Sequence, residues 1–314
     1  MKVLIGIDGQ EGDMFRETPV LPLLRALRLT NPSLELIHVV PSDTSMIRQI
    51  GWSATGAEPG NSGDPLGEQN AAVQAALLQS AGELVGVGAA APELTALRGP
   101  APELILAHAD ATGADLIAIN APRDNRGLRP MLSGGVARAL LLSARQSILV
   151  ARPPCSTQSR RLGMITRGVR AVLATDHSPY MNRCLERLLE FAPLGISQLT
   201  VLTAFPGGEL SALRSYLPKI DVDPGDAVRE RLEACNAAVL DRVSGLLRRT
   251  GATSASRVID APVDEAIAET MGDTGADLLI LGAQGHSFWE RLTLGSVSFQ
   301  QVMTADYPVL VLRA

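Results

Sequence analysis

The sequence predicts an α/β fold built twice, as two tandem doubly wound domains that each hold a five-stranded parallel sheet. Three observations predict it. The chain has 314 residues, about twice the usual domain length of roughly 150. The segment GADLIAI at 113–119 returns as GADLLIL at 275–281. Short apolar runs alternate with helical patterns, as βαβ units around a parallel sheet require.

The repeat extends on both sides of that segment. Upstream, Pro100 to Ile105 corresponds to Pro262 to Ile267, and downstream Ile148 to Arg152 corresponds to Val309 to Arg313. Both copies also open alike, with Val3-Leu4-Ile5-Gly6-Ile7-Asp8 and Ala171-Val172-Leu173-Ala174-Thr175-Asp176. The seam at 152–161 holds Pro153 and Pro154 followed by small polar residues and reads as an exposed linker. The domains are accordingly set at 1–155 and 162–314, with the boundary near residue 160.

In the second copy the predicted strands lie at about 169–175, 198–204, 256–260, 277–282 and 308–312. Helices fall between them. Met181, Cys184, Leu185, Leu188 and Leu189 share one helical face, and Val228, Leu232, Cys235, Val239, Val243 and Leu246 form a long apolar seam that stops at Thr250-Gly251. Two further helices span about 263–274 and 296–304. In such a layer the ligand sits beyond the carboxyl ends of the strands, where strand order reverses. The first copy carries an addition at 41–70 with five glycines and three prolines and no periodicity, read as a disordered segment or a flap.

Composition narrows the function classes. A hydrophobic content of 46% supports a core in each half, and with aromatics at 3% the packing falls to Ala, Leu, Val and Ile. The net charge of −5 leaves no basic footprint for nucleic acid or an acidic membrane. Three cysteines (Cys155, Cys184 and Cys235) make no disulfide framework, and two of them read as small core residues. The opening MKVLIGID resembles neither a signal peptide nor a membrane span, so a cytoplasmic location is expected.

The chemistry concentrates after the fourth strand of copy two. Gly282-Ala283-Gln284-Gly285 is followed by nine residues and then Gly295-Ser296-Val297. Glycines after a buried strand let backbone approach a ligand closely. Gly295-Ser296 opens a helix whose unpaired N–H groups and dipole favour an anion, and the Ser296 hydroxyl can donate to a phosphate oxygen. Taken alone, the same residues serve equally well as a glycine turn and a serine helix cap.

This G-x2-G-x9-G-S spacing after strand four resembles the universal stress protein family, a Rossmann-like fold of the adenine nucleotide alpha-hydrolase type, and the resemblance covers nearly the whole chain as two modules. It implies ATP with Mg2+ or Mn2+ as the ligand. It implies that Asp176 reads the adenine and ribose side, that Ala174 and Ala204 lie against the nucleotide, and that Leu281 and Val297 flank the cradle of Gly282, Gly285, Gly295 and Ser296. A turn or cap role for Asp176 is compatible with that assignment. The resemblance further implies pairing between the modules through their last strands, 147–151 and 308–312, pairing of chains into a homodimer, and a protein partner of unknown identity.

Copy one departs from the motif. Asn120 and Arg123 stand where copy two has Gly282 and Gly285, Pro122 lies between them, and ten residues rather than nine precede Gly134-Gly135. A proline lacks the N–H of a phosphate nest, and Arg123 has a side chain where bare backbone is needed. Asp8 and His38-Val39-Val40 keep an adenine-side pocket in outline. Arg123, Arg126 and Arg129 are either side-chain phosphate contacts or solvated loop residues of a copy that has lost binding.

Other chemistry is missing. Lys2 and Lys219 are the only lysines and neither follows a G-x-x-x-x-G stretch, which excludes a Walker A site. His38, His108, His177 and His286 have no metal-ligand spacing and read as structural or exposed. His286 and Arg291 are candidate phosphate contacts, and Phe288 and Trp289 either cover a nucleotide or pack. No group is placed to activate a nucleophile for phosphoryl transfer. The expected function is a regulatory ATP-binding module with little or no catalysis. A slow ATPase or related enzyme, and a nucleotide-free interaction scaffold, are the alternatives.

Overall fold

A computed structural model describes residues 1–7, 20–40, 92–120, 135–151, 167–205, 224–284 and 295–314. The chain divides into two compact units: Met1–Arg25 with Asn31–Pro153, and Pro154–Ala314 with Ala26–Thr30. The expected linker at 152–161, the addition at 41–70 and Cys155 lie outside the described residues. Among the described residues no helix is long and apolar enough to cross a membrane.

The first unit contains β1 (Lys2–Gly6), α1 (Val20–Leu27), β2 (Ser33–Val40), β3 (Glu93–Arg98), α2 (Ala101–Thr112), β4 (Leu116–Asn120), α3 (Gly135–Ser143) and β5 (Ser147–Ala151). Its strands are all parallel, and β1 lies between β2 and β4, giving the order β3-β2-β1-β4-β5. The second unit contains β6 (Val169–Ala174), α4 (Pro179–Phe191), β7 (Ile196–Ala204), α5 (Pro224–Thr250), β8 (Thr253–Ile259), α6 (Val263–Thr274), β9 (Leu278–Gly282), α7 (Ser296–Thr304) and β10 (Val309–Leu312). Its parallel order is β8-β7-β6-β9-β10, the same topology. Helices α4 and α5 touch each other, as do α6 and α7, which are the two layers of a doubly wound fold. The inner strands are near-continuous apolar runs because both faces are covered; in β9, Leu278, Leu279 and Ile280 are fully buried, whereas the outer strands β3 and β8 are largely exposed.

The repeated GAD segment has one physical meaning in both units. Gly113 (φ 64°) and Gly275 (φ 56°) end α2 and α6 in the left-handed conformation, where a side chain is disfavoured. The N–H of the next residue, Ala114 or Ala276, then donates to the carbonyl of Ala109 or Met271. The aspartate comes last. Asp115 Oδ2 accepts the Lys2 N–H at 2.8 Å, and Asp277 Oδ2 accepts the Arg170 N–H at 2.9 Å. Each aspartate thus holds the entry of strand four to the entry of strand one. In the second unit Arg167 adds a bidentate pair to Asp277 at 2.8 and 2.7 Å.

Along the expected apolar seam of α5, Val228, Leu232 and Cys235 are half-buried, and the seam deepens at the residue after Cys235. The fully buried residue there is Asn236, followed by Val239, Val243 and Leu246. A polar side chain takes this place because it has hydrogen-bond partners across the helix–sheet interface, Thr203 of β7 and the Arg257 carbonyl of β8. Cys184, by contrast, is fully buried as expected.

The first unit also contains a charged cluster at the amino-terminal end of its sheet. Glu35, only 3% exposed, meets Lys2 Nζ at 3.0 Å, the Thr95 hydroxyl at 2.8 Å and His108 Nε2 at 2.5 Å. Burial works to raise the Glu35 pKa, but Lys2, His108 and Thr95 outweigh it and hold the carboxyl below its ordinary 4.5.

Both polar anchors can be tested by their loss. Asp277→Ala strands the Arg170 N–H and the Arg167 guanidinium, and urea unfolding should show a loss of about 3 kcal/mol. Because the Glu35 pKa is lower in the folded state, its stabilisation is present above the unfolded pKa and fades as pH falls through the folded one. Thermal melts of wild type should therefore lose stability on acidification below about pH 4.5, and Glu35→Gln, less stable at neutral pH, should flatten that slope.

Candidate functional site

Strand order reverses between β6 and β9, which are neighbours through Ala171–Leu278, Val172–Leu279 and Leu173–Ile280. On the other side of β6 lies β7. The carboxyl ends of β7, β6 and β9 therefore stand side by side, and the sequence-predicted residues converge there. Ala174 ends β6, Ala204 ends β7, and Leu281-Gly282 ends β9. Leu281 is buried in the sheet, while Ala174, Asp176, Ala204 and Gly282 are half-buried at its rim.

The β6–α4 loop is held by its own side chains. Thr175 Oγ1 accepts the His177 N–H at 3.0 Å, and Asp176 Oδ1 accepts the Ser178 N–H at 3.0 Å. Ser178 Oγ then accepts the Met181 N–H at 3.1 Å and caps α4, with Pro179 in the first turn. His177 sits between these at φ 57°, a left-handed conformation uncommon outside glycine. Asp176 is thus the turn residue and Ser178 the helix cap.

On the β9 side, the ends of the loop to α7 are tied together. The Gly295 N–H donates to the Ala283 carbonyl at 2.8 Å. Ser298 Oγ donates to the Gly282 carbonyl at 2.6 Å. The cap of α7 is Gly295 itself (φ −60°, ψ 142°) with no side-chain cap bond, so Ser296 is the first helical residue and not the cap. Its side chain is exposed, and Val297 beside it is half-buried. Helix geometry leaves the N–H groups of this first turn without intrahelical acceptors. The Gly295 N–H itself closes the loop.

Gly282 has a packing reason of its own. A Cβ there would lie 3.0 Å from Met181 Sδ and 3.7 Å from Cys184 Sγ, so the bare strand end lets α4 approach. Burial pushes the Cys184 thiol up to about 12, which keeps it neutral and poorly nucleophilic beneath the strand end.

Several predicted residues fall outside the described residues: Gly285, His286, Phe288, Trp289 and Arg291 in copy two, and Asp8, Pro122, Arg123, Arg126, Arg129 and Gly134 in copy one. In the first unit Asn120 ends β4 at the place of Gly282. Its Oδ1 accepts the Val20 N–H at the start of α1, 3.0 Å away. The polar side chain that stands in the place of glycine therefore holds the first described turn of α1. Val39 lies near the end of β2, the place Ala204 holds in β7.

Sequence reasoning missed Ser298, Thr203 and Asn236. Ser298 follows Ser296 by two residues and carried a signal only in its small polar type. Thr203 and Asn236 carried none, since one lay in an apolar strand and the other in a helical seam.

A family model described as the universal stress protein family matches residues 1–152 and again 170–313. Among solved structures, a universal stress protein from Archaeoglobus fulgidus DSM 4304 is 15% identical with a TM-score of 0.58, over 99% of this chain and 98% of that one. A functionally unknown protein from Pseudomonas aeruginosa PAO1 is 16% identical with a TM-score of 0.53, over 99% and 92%. At such identities the likeness is one of fold. No curated protein matches the chain.

The contact at Gly282 can be separated from any ligand. Gly282→Val should destabilise the protein by about 1–3 kcal/mol through overpacking. Adding Met181→Ala should recover part of that loss, as a double-mutant cycle in denaturant would show.

Proposed function

This chain belongs to the universal stress protein family, and from that premise we propose that its second half holds ATP, with Mg2+ or Mn2+ on the phosphates, as a regulatory ligand that it does not rapidly turn over. The observation that carries the reading is the convergence of Asp176, Ala204, Gly282 and the first turn of α7 at the carboxyl ends of three adjacent strands. A doubly wound sheet presents its ligand crevice at that place.

Each part has a chemical task. The first-turn N–H groups of α7 and the Ser296 hydroxyl donate to phosphate oxygens, with the helix dipole favouring the negative charge. Small side chains at Ala174 and Ala204 leave room for a flat base against the strand ends. The Asp176 carboxylate, an acceptor, suits the donor hydroxyls of a ribose. The cation travels with the triphosphate. Holding ATP regulates the protein only if two conformations or partner states bind it unequally.

The first half takes a different part in this reading. Its Asn120 side chain is committed to the start of α1, so the cradle of the second half has no like counterpart there. Function then rests on a single nucleotide per chain.

Calorimetric titration with ATP and Mg2+ tests the proposal. The expected result is one site per chain, weakened at least about tenfold, or 1.4 kcal/mol, by Ser296→Asp. That substitution repels phosphate yet suits a helix N-terminus, so the fold should be kept. No heat and no thermal shift with the wild-type chain would sink the reading. A turnover on the order of 1 s-1, at the low end of ordinary enzymes, would replace holding by hydrolysis.

A further inference from the structure

The two units solve one packing problem in opposite ways. In the first, His38 on strand two is buried and its Nδ1 lies 2.8 Å from the Ile7 carbonyl, just past strand one. In the second, the equivalent strand residue is Thr203, too short to reach across. There the imidazole comes from the other side: His177, in the loop after strand one, places Nε2 2.9 Å from Thr203 Oγ1. The contact does not end at Thr203. Its hydroxyl donates to Asn236 Oδ1 at 2.8 Å, and Asn236 Nδ2 donates to the Arg257 carbonyl at 3.1 Å.

The direction of this chain of bonds is set by its last member. A carbonyl only accepts, so Nδ2 faces Arg257 and Oδ1 faces Thr203. The single hydroxyl hydrogen of Thr203 is then used on Asn236, and Thr203 receives its other bond from a protonated His177 Nε2. Asn236 is 0% exposed and Thr203 3%, so neither can exchange these partners for water. The relay runs from β8 through α5 and β7 to a residue held at φ 57° in the β6–α4 loop. That loop carries Asp176.

We infer that Asn236 is a positioning residue for the pocket: through Thr203 it anchors His177, and the anchored ring keeps the loop turned so that Asp176 faces the strand ends. The inference rests on the nucleotide reading for its purpose, though not for its mechanics. Asn236 touches no ligand. It transmits the position of the β8 backbone to the loop, adding a tertiary tie to the loop's own side-chain bonds and to the Thr175 N–H bond with the Leu202 carbonyl. A buried asparagine in an apolar helical seam is costly unless fully bonded, and here both ends of its amide are used.

The test compares Thr203→Val, Asn236→Leu and their combination with Thr203→Ser, which keeps the hydroxyl. Hydrogen exchange reads the His177 and Ser178 amides directly, because both are bonded inside the loop. Expected is exchange faster by at least about tenfold at these two amides in Thr203→Val and Asn236→Leu, with the amides of β6 and α4 still protected. ATP affinity should fall by roughly tenfold, the double variant losing no more than either single one, while Thr203→Ser returns both readouts toward wild type. Unchanged exchange at His177 and Ser178, whatever the loss in melting temperature, would overturn the inference and leave Asn236 a packing residue. A wild-type chain that binds no ATP, with exchange still responding to the variants, would leave the positioning role standing and remove the nucleotide from it.

Discussion

In each unit the winding of the sheet depends on one carboxylate, which opens strand four and takes the backbone N–H of strand one. Asp115 and Asp277 tie together two strands that are neighbours in the sheet but far apart in the chain. Strand one has a partner on its other side through the short connection to strand two. The aspartate supplies the long-range closure on this side, where the sheet reverses its winding. A sheet without such a pin would leave a half-buried strand-entry N–H without its partner, at a cost of up to about 1–3 kcal/mol. Register set at the entry propagates along the strands, so the same bond decides which residues stand level at the exit. In the second unit those residues include Ala174 and Gly282.

The exit of the switch is where the two units diverge. In the second, a glycine at the end of β9 lets α4 pack within 3.0 Å of a would-be Cβ, and the loop beyond it is closed by Gly295 and Ser298. In the first, Asn120 projects a side chain that accepts the Val20 N–H of α1. One residue type thus changes the task of the strand end, from leaving backbone bare to bonding a helix. The helices respond accordingly, with α4 carrying its own cap in Ser178. The two units share the entry of the switch and differ at its exit.

The fold was legible because its signals are local and repeated. The inner parallel strands come from apolar runs, and helices α6 and α7 begin and end where their pattern does. The glycine of each GAD segment marks a helix stop whose geometry only that residue takes easily. The candidate site was half legible. Its residues stand out as small or polar groups at strand ends, but their tasks do not. That the Gly295 N–H closes a loop and that Asn236 is buried in the α5 seam depend on partners outside their own helices. Periodicity reports which face of a helix is inward and says nothing about what that face meets.

By itself the sequence determined the duplicated α/β topology class, the family, and the difference between a glycine and an asparagine at the end of strand four. Those are properties of residue type and spacing, which short-range sterics and burial convert directly into structure. Tertiary structure alone decided what the aspartates of the repeat hold, what Asn120 bonds, and how a threonine and an asparagine reach a histidine in the loop beside Asp176. Hydrogen bonds are directional and short, so their partners exist only once the strands and helices have been brought together.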